Sequence, residues 1–494
     1  MSAGLEPPAG APTVHRLGRR ALSLGAANAF DYACQFLLPV VLARCLDPAA
    51  FGQYRLLWLA VGTVMAVVTM AMPGSLYYFL PRSEGPTKRL YINQVLLFLA
   101  ATGLIAAWAV SSWNPWLPEK MRGLAEHDAI VPVFVLLWVV AALLDLLPTI
   151  EERVMWQARA TVGLAALRAV ALSLAAVLTR ELGPVLLVLL AFALFKVALL
   201  LAYVARYHGL RRPLLRRVAF ADQFRYTAPL GVAGALYSLR AQADQWVAAA
   251  LFPLGMFASF SIAAVLGPLL NLCRLSVSCA FLPSMSRLES AGDILGMLQL
   301  NSRANNMVAA LACPLLAFAF VFAEELITLV YTGTYADAVP VMRVYIMGLA
   351  ALVIELSSIT MLLRQAPFVM WLNLAALVLA LALDWFSALH FGLAGAAAGS
   401  VTVVYLDRIA TLRHIARHTG VPLRGLQDWR TLGLWMLFAI VAAALAWGLV
   451  GRYFGASGPL ARMIAGGTLL ALAYAAMAEL SGMGSGRLAA ARNA

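Results

Sequence analysis

Apolar stretches of about 20 residues, separated by short runs rich in charge, Gly and Pro, recur from one end of this chain to the other. The pattern predicts membrane crossings at 21–43, 56–80, 91–113, 129–150, 161–179, 183–205, 228–251, 256–283, 304–331, 340–363, 366–388, 392–412, 432–451 and 461–481. Hydrocarbon offers no partner for a free backbone amide, so each of the fourteen is expected to be α-helical. The fifth and sixth are the least separated, with Arg180, Glu181 and Gly183 at their junction.

A second regularity lies over the first. The stretch from Leu24 to Tyr54 and the stretch from Leu230 to Phe260 align without a gap. Leu24-Gly25 meets Leu230-Gly231, Ala27 meets Ala233, Ala43 meets Ala249, Phe51 meets Phe257 and Tyr54 meets Phe260. Each is an apolar helix, a short Pro/Gly-containing turn, and an aromatic opening a second apolar helix. A duplicated bundle is expected, with crossings 1 and 7 at equivalent places and substrate held between the halves. Six crossings separate the two copies, so the halves share one orientation and are related by an axis along the membrane normal. The fold class is therefore an all-α polytopic membrane protein, with two related six-helix lobes plus two C-terminal helices. The expected divisions are a disordered cytoplasmic tail (1–15), an N-lobe (16–206), a basic cytoplasmic linker (207–225), a C-lobe (226–415) and the last two helices with a tail (416–494).

Composition agrees with this reading: 63% of residues are hydrophobic and 12% charged, more apolar surface than a soluble chain of this length can bury. The formal net charge of +13 invites a nucleic-acid reading, but the distribution of charge argues against it. With the N-terminus inside, about two thirds of the 36 Lys and Arg fall in cytoplasmic segments. The densest groups are Arg206, Arg211, Arg212, Arg216, Arg217 and Arg225, then Arg408, Arg413, Arg417, Arg424 and Arg430. Both groups read as orientation signals with some attraction for anionic headgroups. Both termini are then cytoplasmic and residues 114–128 form the longest outer loop. The five cysteines show no CxxC, no histidine pair forms HExxH, and no GxxxxGK[ST] loop is present, so metal chemistry and ATP hydrolysis by this chain are not indicated.

The motifs resemble those of a known family. Ala43, Arg44, Leu46, Pro48, Phe51, Gly52 and Tyr54 look like the junction of helices 1 and 2 in the bacterial polysaccharide exporters. These are the Wzx-like lipid-linked oligosaccharide flippases of the MOP superfamily, relatives of the MATE transporters. Further similarities follow in order: Gly74 with Phe79-Leu80-Pro81, the segment Asp244 to Ala263, Pro283/Ser286/Leu288, Tyr331 to Ala338, and Gly392 to Ser400. The sequence departs from the pattern at Asp47, where Gly is usual, and at Ala258, where the first copy has Gly52. The resemblance spans roughly residues 18–415. It implies a MATE/MOP-like fold in a bacterial inner membrane and no catalytic activity. It implies export of a polyprenyl-diphosphate-linked oligosaccharide for surface polysaccharide such as lipopolysaccharide or exopolysaccharide. No cofactor is implied, and a coupling ion would be H+ or Na+. Polymerase or glycosyltransferases are the implied protein partners. A cation-coupled multidrug exporter and a membrane glycosyltransferase or polymerase are the alternatives; the latter would need catalytic groups in a sizeable loop, where this chain offers only Glu119, Glu126, His127 and Asp128.

Charged residues within crossings are costly and so default to functional candidates. Crossing 1 carries Asn28, Asp31 and Gln35 on one stripe; crossing 7 carries Tyr237, Arg240 and Asp244 with the same spacing. Crossing 8 adds Asn271, Arg274 and Ser278, crossing 6 Lys196, crossing 5 Arg168 and crossing 10 Glu355. Arg240, Arg274 and Lys196 suit phosphates, and the stripes suit sugar hydroxyls. The competing reading is pairing: Arg240 with Asp244 at i, i+4, and Arg168 and Lys196 with Asp145 or Glu355. Pro39, Pro268 and Pro314 interrupt crossings and are read as hinges or static kinks.

Overall fold

In the computed structural model, residues 14–115, 120, 130–209 and 213–483 are described. The catalytic-loop candidates Glu119, Glu126, His127 and Asp128, the arginines 211 and 212, and most of the expected N-terminal tail lie outside these residues. The described chain is all-helical. Eleven of its helices are long and apolar enough to cross a membrane.

The chain divides into two units, Met1–Ser238 and Leu239–Ala494. The first contains α1 (Val14–Cys45), α2 (Pro48–Val68), α3 (Leu76–Phe79), α4 (Gly85–Ala109), α5 (Ile130–Ala141), α6 (Leu147–Ile150), α7 (Val154–Thr179), α8 (Leu182–Tyr207) and most of α9 (Arg217–Ala241). α1 runs along α7, α4 packs on α5, and α5 and α7 both pack on α8. Its apolar core joins Met72 and Leu76 to Ile92, Leu99, Leu143 and Leu200. The second unit continues with α10 (Ala243–Leu251), α11 (Leu254–Ala263), α12 (Leu266–Ser290), α13 (Ile294–Val321) and α14 (Ala323–Val330). It ends with α15 (Ala338–Leu352), α16 (Ser357–Leu362), α17 (Ala366–Thr419), α18 (Leu423–Leu426), α19 (Trp429–Tyr453) and α20 (Pro459–Leu480). α13 is its central post, packed against α12, α19 and α20, while α10 and α15 pack on α17.

The repeated signature has a packing reason in each unit. Ala43, Phe51 and Tyr54 are buried in the first unit, and Ala249, Phe257 and Phe260 in the second. Asp47, the departure from the usual Gly, caps α2: its carboxylate accepts from the Ala49 amide at 3.0 Å, satisfying one of the helix's free donors. Gly231 is where α9 crosses the end of crossing 2. A Cβ there would stand 2.6–2.8 Å from the Met70 backbone, whereas one at Gly25 would meet nothing within 4 Å.

The structure interrupts three of the expected crossings and joins two others at a fold. Crossing 7 is interrupted at Gln242, between α9 and α10. Crossing 8 is interrupted at Ala264–Val265, which puts Pro268 in the first turn of α12, where a missing amide costs nothing, rather than in mid-helix. Crossing 10 is broken between Leu352 and Ser357. Crossings 11 and 12 form one helical run folded at Gly392, whose φ of 67° and ψ of −148° lie outside the range of ordinary L-residues. Crossing 9 also starts earlier than hydropathy suggests, at Ile294. Its first turns carry Asn301, Ser302 and Asn305, polar residues that are nonetheless buried.

Candidate functional site

In the first unit the charges expected on crossings are paired. Asp31 on α1 accepts from Arg168 Nη2 on α7 at 3.1 Å and from Gln35 Nε2 at 2.8 Å. Two thirds of the predicted polar stripe is thus one hydrogen-bonded group facing α7, and Asn28 is exposed beside it. Lys196 on α8 donates to Asp145 at 2.9 Å and sits 5.0 Å from the Trp138 ring. Asp145 comes from the tight 3-10 turn Ala142–Asp145 that ends α5. Of the two readings of Arg168 and Lys196, pairing is therefore what the geometry shows, although Arg168 takes Asp31 rather than either expected acid. Tyr237 is exposed.

In the second unit, Arg240 and Asp244 do not neutralise one another. The Gln242 break rotates the chain between them, so each finds another partner. Arg240 Nη1 donates to Asp407 Oδ1 on α17 at 2.8 Å. Asp244 is buried, accepting from the Tyr345 hydroxyl at 2.6 Å and from the Gln245 amide at 2.7 Å. Arg274 Nη1 donates to the Leu352 carbonyl at 3.3 Å, and Arg408 Nη1 to the Ile354 carbonyl at 3.4 Å. Both guanidinium groups thus reach the break in crossing 10, where carbonyls lose their helical donors. Arg408 Nε lies 3.9 Å from Asp407 Oδ2. Asn271, on the turn before Arg274, is exposed.

Glu355 has a role other than ligand binding. Its carboxylate accepts from the Ser357 amide at 2.7 Å and the Ser358 amide at 3.3 Å, capping the restart at α16. Its own amide donates to Asn305 Oδ1 at 3.0 Å, and its carbonyl accepts from Asn301 at 3.0 Å. Asn305 also donates to Gln427 at 3.0 Å. These polar side chains supply the hydrogen bonds that the broken helix lacks, which is why they are buried.

A separate acidic patch lies where α10, α15 and α17 meet. Asp384 is fully buried, and Asp244 and Asp384 lie close enough to repel. Ser400 donates to Asp384 Oδ2 at 2.8 Å, while Asp384 Oδ1 is buried without a partner. Two buried carboxylates with no ion pair among the described residues are suited to share a proton or hold a small monovalent cation with hydroxyl ligands. Among the described residues no group of three or more His, Cys, Asp or Glu could hold a metal ion.

Sequence reasoning missed Asp407, Arg408, Tyr345, Ser400 and Asn305. Arg408 was absorbed into a basic run read as an orientation signal; the neighbouring acid, Asp407, inside an apolar stretch was the available clue. Gly399 and Gly395 serve the same hairpin: a Cβ at Gly399 would stand 2.4 Å from Asp384 Oδ1, so only glycine lets the two legs of α17 approach this closely.

The described chain is a multi-pass helical membrane bundle with ionisable groups held inside its crossings. Residues 41–340, more than half of the sequence, match the family described as polysaccharide biosynthesis protein, and the chain belongs to that family. Among solved structures it is similar to the lipid II flippase MurJ in an inward closed conformation, with a TM-score of 0.68 at 12% identity over 92% of this chain and 98% of that one. It is also similar to a multidrug resistance MATE family transporter in an inward-facing conformation (TM-score 0.61, 12% identity, 79% and 96% covered). A MOP superfamily transporter from Pyrococcus furiosus matches with a TM-score of 0.51 at 11% identity, over 83% and 96%. At such identities these likenesses bear on fold alone. No curated protein sequence matches the chain.

Proposed function

We propose that this protein moves a polyprenyl-diphosphate-linked oligosaccharide from the cytoplasmic to the periplasmic leaflet of a bacterial inner membrane, supplying surface polysaccharide synthesis. The observation that carries this reading is the placement of Arg240 and Arg274 inside the crossings of a chain from a polysaccharide biosynthesis family. An arginine within a membrane segment is expensive unless it serves an anion or a counter-ion, and its fork matches phosphate oxygens. The sugar head and diphosphate cross along the protein's polar groups while the polyprenyl tail stays in lipid. Asn28, Asp31 and Gln35, with Tyr237 and Asn271, supply donors and acceptors of the kind sugar hydroxyls need. The Asp244/Asp384 patch is the place where a coupling proton or sodium ion would be held, and alternating exposure follows from its loading and release. That a flippase for lipid II shares the fold supports a lipid-linked substrate. The partners of this reading are membrane lipids and the enzymes that build and polymerise the glycan.

The test is reconstitution. Purified protein in proteoliposomes should move a fluorescent polyprenyl-diphosphate glycan between leaflets, and Arg240→Ala or Arg274→Ala should lower the rate at least tenfold with normal insertion. The structural account of Arg240 names Asp407, not Asp244, as the partner that matters. If Arg240→Ala/Asp407→Ala restores near wild-type flipping, the arginine only balances the acid and does not bind substrate.

A further inference from the structure

Two arginines reach the break in crossing 10, Arg274 from α12 and Arg408 from α17, and a third, Arg240 from α9, joins them through Asp407, the neighbour of Arg408 on α17. Arg408 lies within electrostatic range of Asp407, Arg274, Glu355 and Arg240. The side chains of Arg240, Arg408 and Asp407 are each about one-eighth exposed, at 14%, 13% and 11%. The carboxylate of Glu355 is occupied by the two amides it caps. Asp407 is thus the anion to which Arg240 is tied, and Arg408 reaches it only at 3.9 Å.

The donors are not used up. Nε of Arg274 and Nε of Arg408 are both buried without a hydrogen-bond partner. A buried guanidinium N–H left unmade carries the full desolvation penalty of the group, so such donors persist where an acceptor visits. Charge gives the same direction. Three guanidinium charges against Asp407 and Glu355 leave one positive charge in excess. A diphosphate diester, with one negative charge on each phosphate, would match the cluster once Asp407 lets go of it.

We propose that Arg408 completes an anion subsite with Arg240 and Arg274, and that Asp407 occupies it as an internal counter-ion which the substrate's diphosphate displaces. The inference rests on the proposed lipid-linked substrate and deepens it. Asp407 holds Arg240 in place while the subsite is empty, sparing a bare cation in the membrane. An arriving diphosphate takes over Arg240 and offers oxygens to the two unused Nε donors. Asp407 then competes for the same guanidinium and speeds release on the far side. Affinity is kept moderate by that competition, as a transporter requires.

Binding of an undecaprenyl-diphosphate-linked monosaccharide, itself a diphosphate diester, to the purified full-length protein in detergent, read by microscale thermophoresis, tests this. Asp407→Asn keeps the shape and removes the competitor, and should bind about tenfold tighter, equivalent to about 1.4 kcal/mol, while flipping slows because release is impeded. Arg408→Ala should bind at least tenfold more weakly. Arg408→Lys retains the charge but loses the fork, and should fall between the two; this variant stands in where the alanine form does not fold. Unchanged or weaker binding by Asp407→Asn overturns the counter-ion role. Wild-type affinity of Arg408→Lys, or of a monodisperse Arg408→Ala, removes Arg408 from the subsite. Either result, with Arg240→Ala and Arg274→Ala still losing binding, leaves the lipid-linked substrate intact. Full binding by all the arginine variants removes that reading as well.

Discussion

Lys196 and Asp145 are joined by a 2.9 Å hydrogen bond, yet burial falls unevenly on them: the lysine side chain is 10% exposed and the aspartate 56%. The cost of losing a partner should follow that difference. Asp145→Asn strands a buried ammonium over the Trp138 ring and is expected to cost about 1.5–3 kcal/mol, the range for a hydrogen bond to a charged group. Lys196→Met fills the same volume without charge and leaves the acid largely in contact with its surroundings, so it should change stability by less than about 1 kcal/mol. Thermal unfolding of the two purified variants decides the matter; a greater loss for Lys196→Met than for Asp145→Asn would mean that burial of the ammonium does not govern the pair. The same residue-level logic explains why Asp31 and Arg168 were legible as functional suspects but not as partners. Spacing places a charge on a helix face, but it cannot say which neighbouring helix that face meets.

The broken and folded helices concentrate the chemistry. α17 folds at Gly392, and its second leg returns against the first with Gly399 lying on Asp384. Gly399→Ala forces a Cβ into space held by the Asp384 backbone amide, 2.5 Å away, and its carboxylate. The legs must separate, the Ser400–Asp384 hydrogen bond is expected to be lost, and the acid patch opens. If the patch holds the coupling ion as proposed, transport should be abolished, and the melting temperature should fall by several degrees. Gly433→Ala on α19 is the counterpart, since a Cβ there meets nothing within 4 Å. Relief of the helix-interior glycine should stabilise that helix by about 0.5–1 kcal/mol and leave transport alone. Equal behaviour of the two variants in a transport assay would remove the close approach at Gly399 as the reason for its effect. The small-residue run from Gly392 to Ser400 was visible in the sequence as a motif. Its purpose, to let two helical legs touch at a carboxylate, was not, because hydropathy treats Gly and Ala as filler.

At the scale of the whole molecule, the positive-inside distribution is the ground for expecting both termini in the cytoplasm. Orientation can be read with single cysteines in a background where Cys34, Cys45, Cys273, Cys279 and Cys313 are serine. Ala456 follows α19 and is exposed, and Glu84 precedes α4 and is exposed. Ala456→Cys is expected to react with a membrane-impermeant maleimide on intact spheroplasts, and Glu84→Cys only after permeabilisation. The opposite pattern of labelling would reverse the orientation of the chain. Among the described residues there are eleven long apolar helices where fourteen crossings were expected. The difference lies in crossings 7 and 10, which are broken into shorter helices, and in crossings 11 and 12, the two legs of one run folded at Gly392.

The sequence by itself determined that this is a helical membrane protein and where most of its apolar segments fall, and it marked Ala43, Phe51 and Tyr54 with Ala249, Phe257 and Phe260, each set buried in its own unit. These follow from composition and periodicity, which the bilayer reads directly because it excludes unpaired backbone and most charge. The family resemblance was legible for the same reason, since its motifs are helix junctions that recur as local sequence. Which charge meets which partner was decided only by the tertiary structure. Arg240 could have paired with Asp244 four residues on, and a straight helix would have allowed it. The break at Gln242 sends one to Asp407 and the other to Tyr345. Asn301 and Asn305 drew no assignment from the sequence; the interrupted backbone at Glu355 makes them its hydrogen-bond partners, with Gln427 bonded to Asn305 behind them. A helix break is a cooperative outcome of packing and of the polar groups waiting to satisfy it, and no window of sequence contains both.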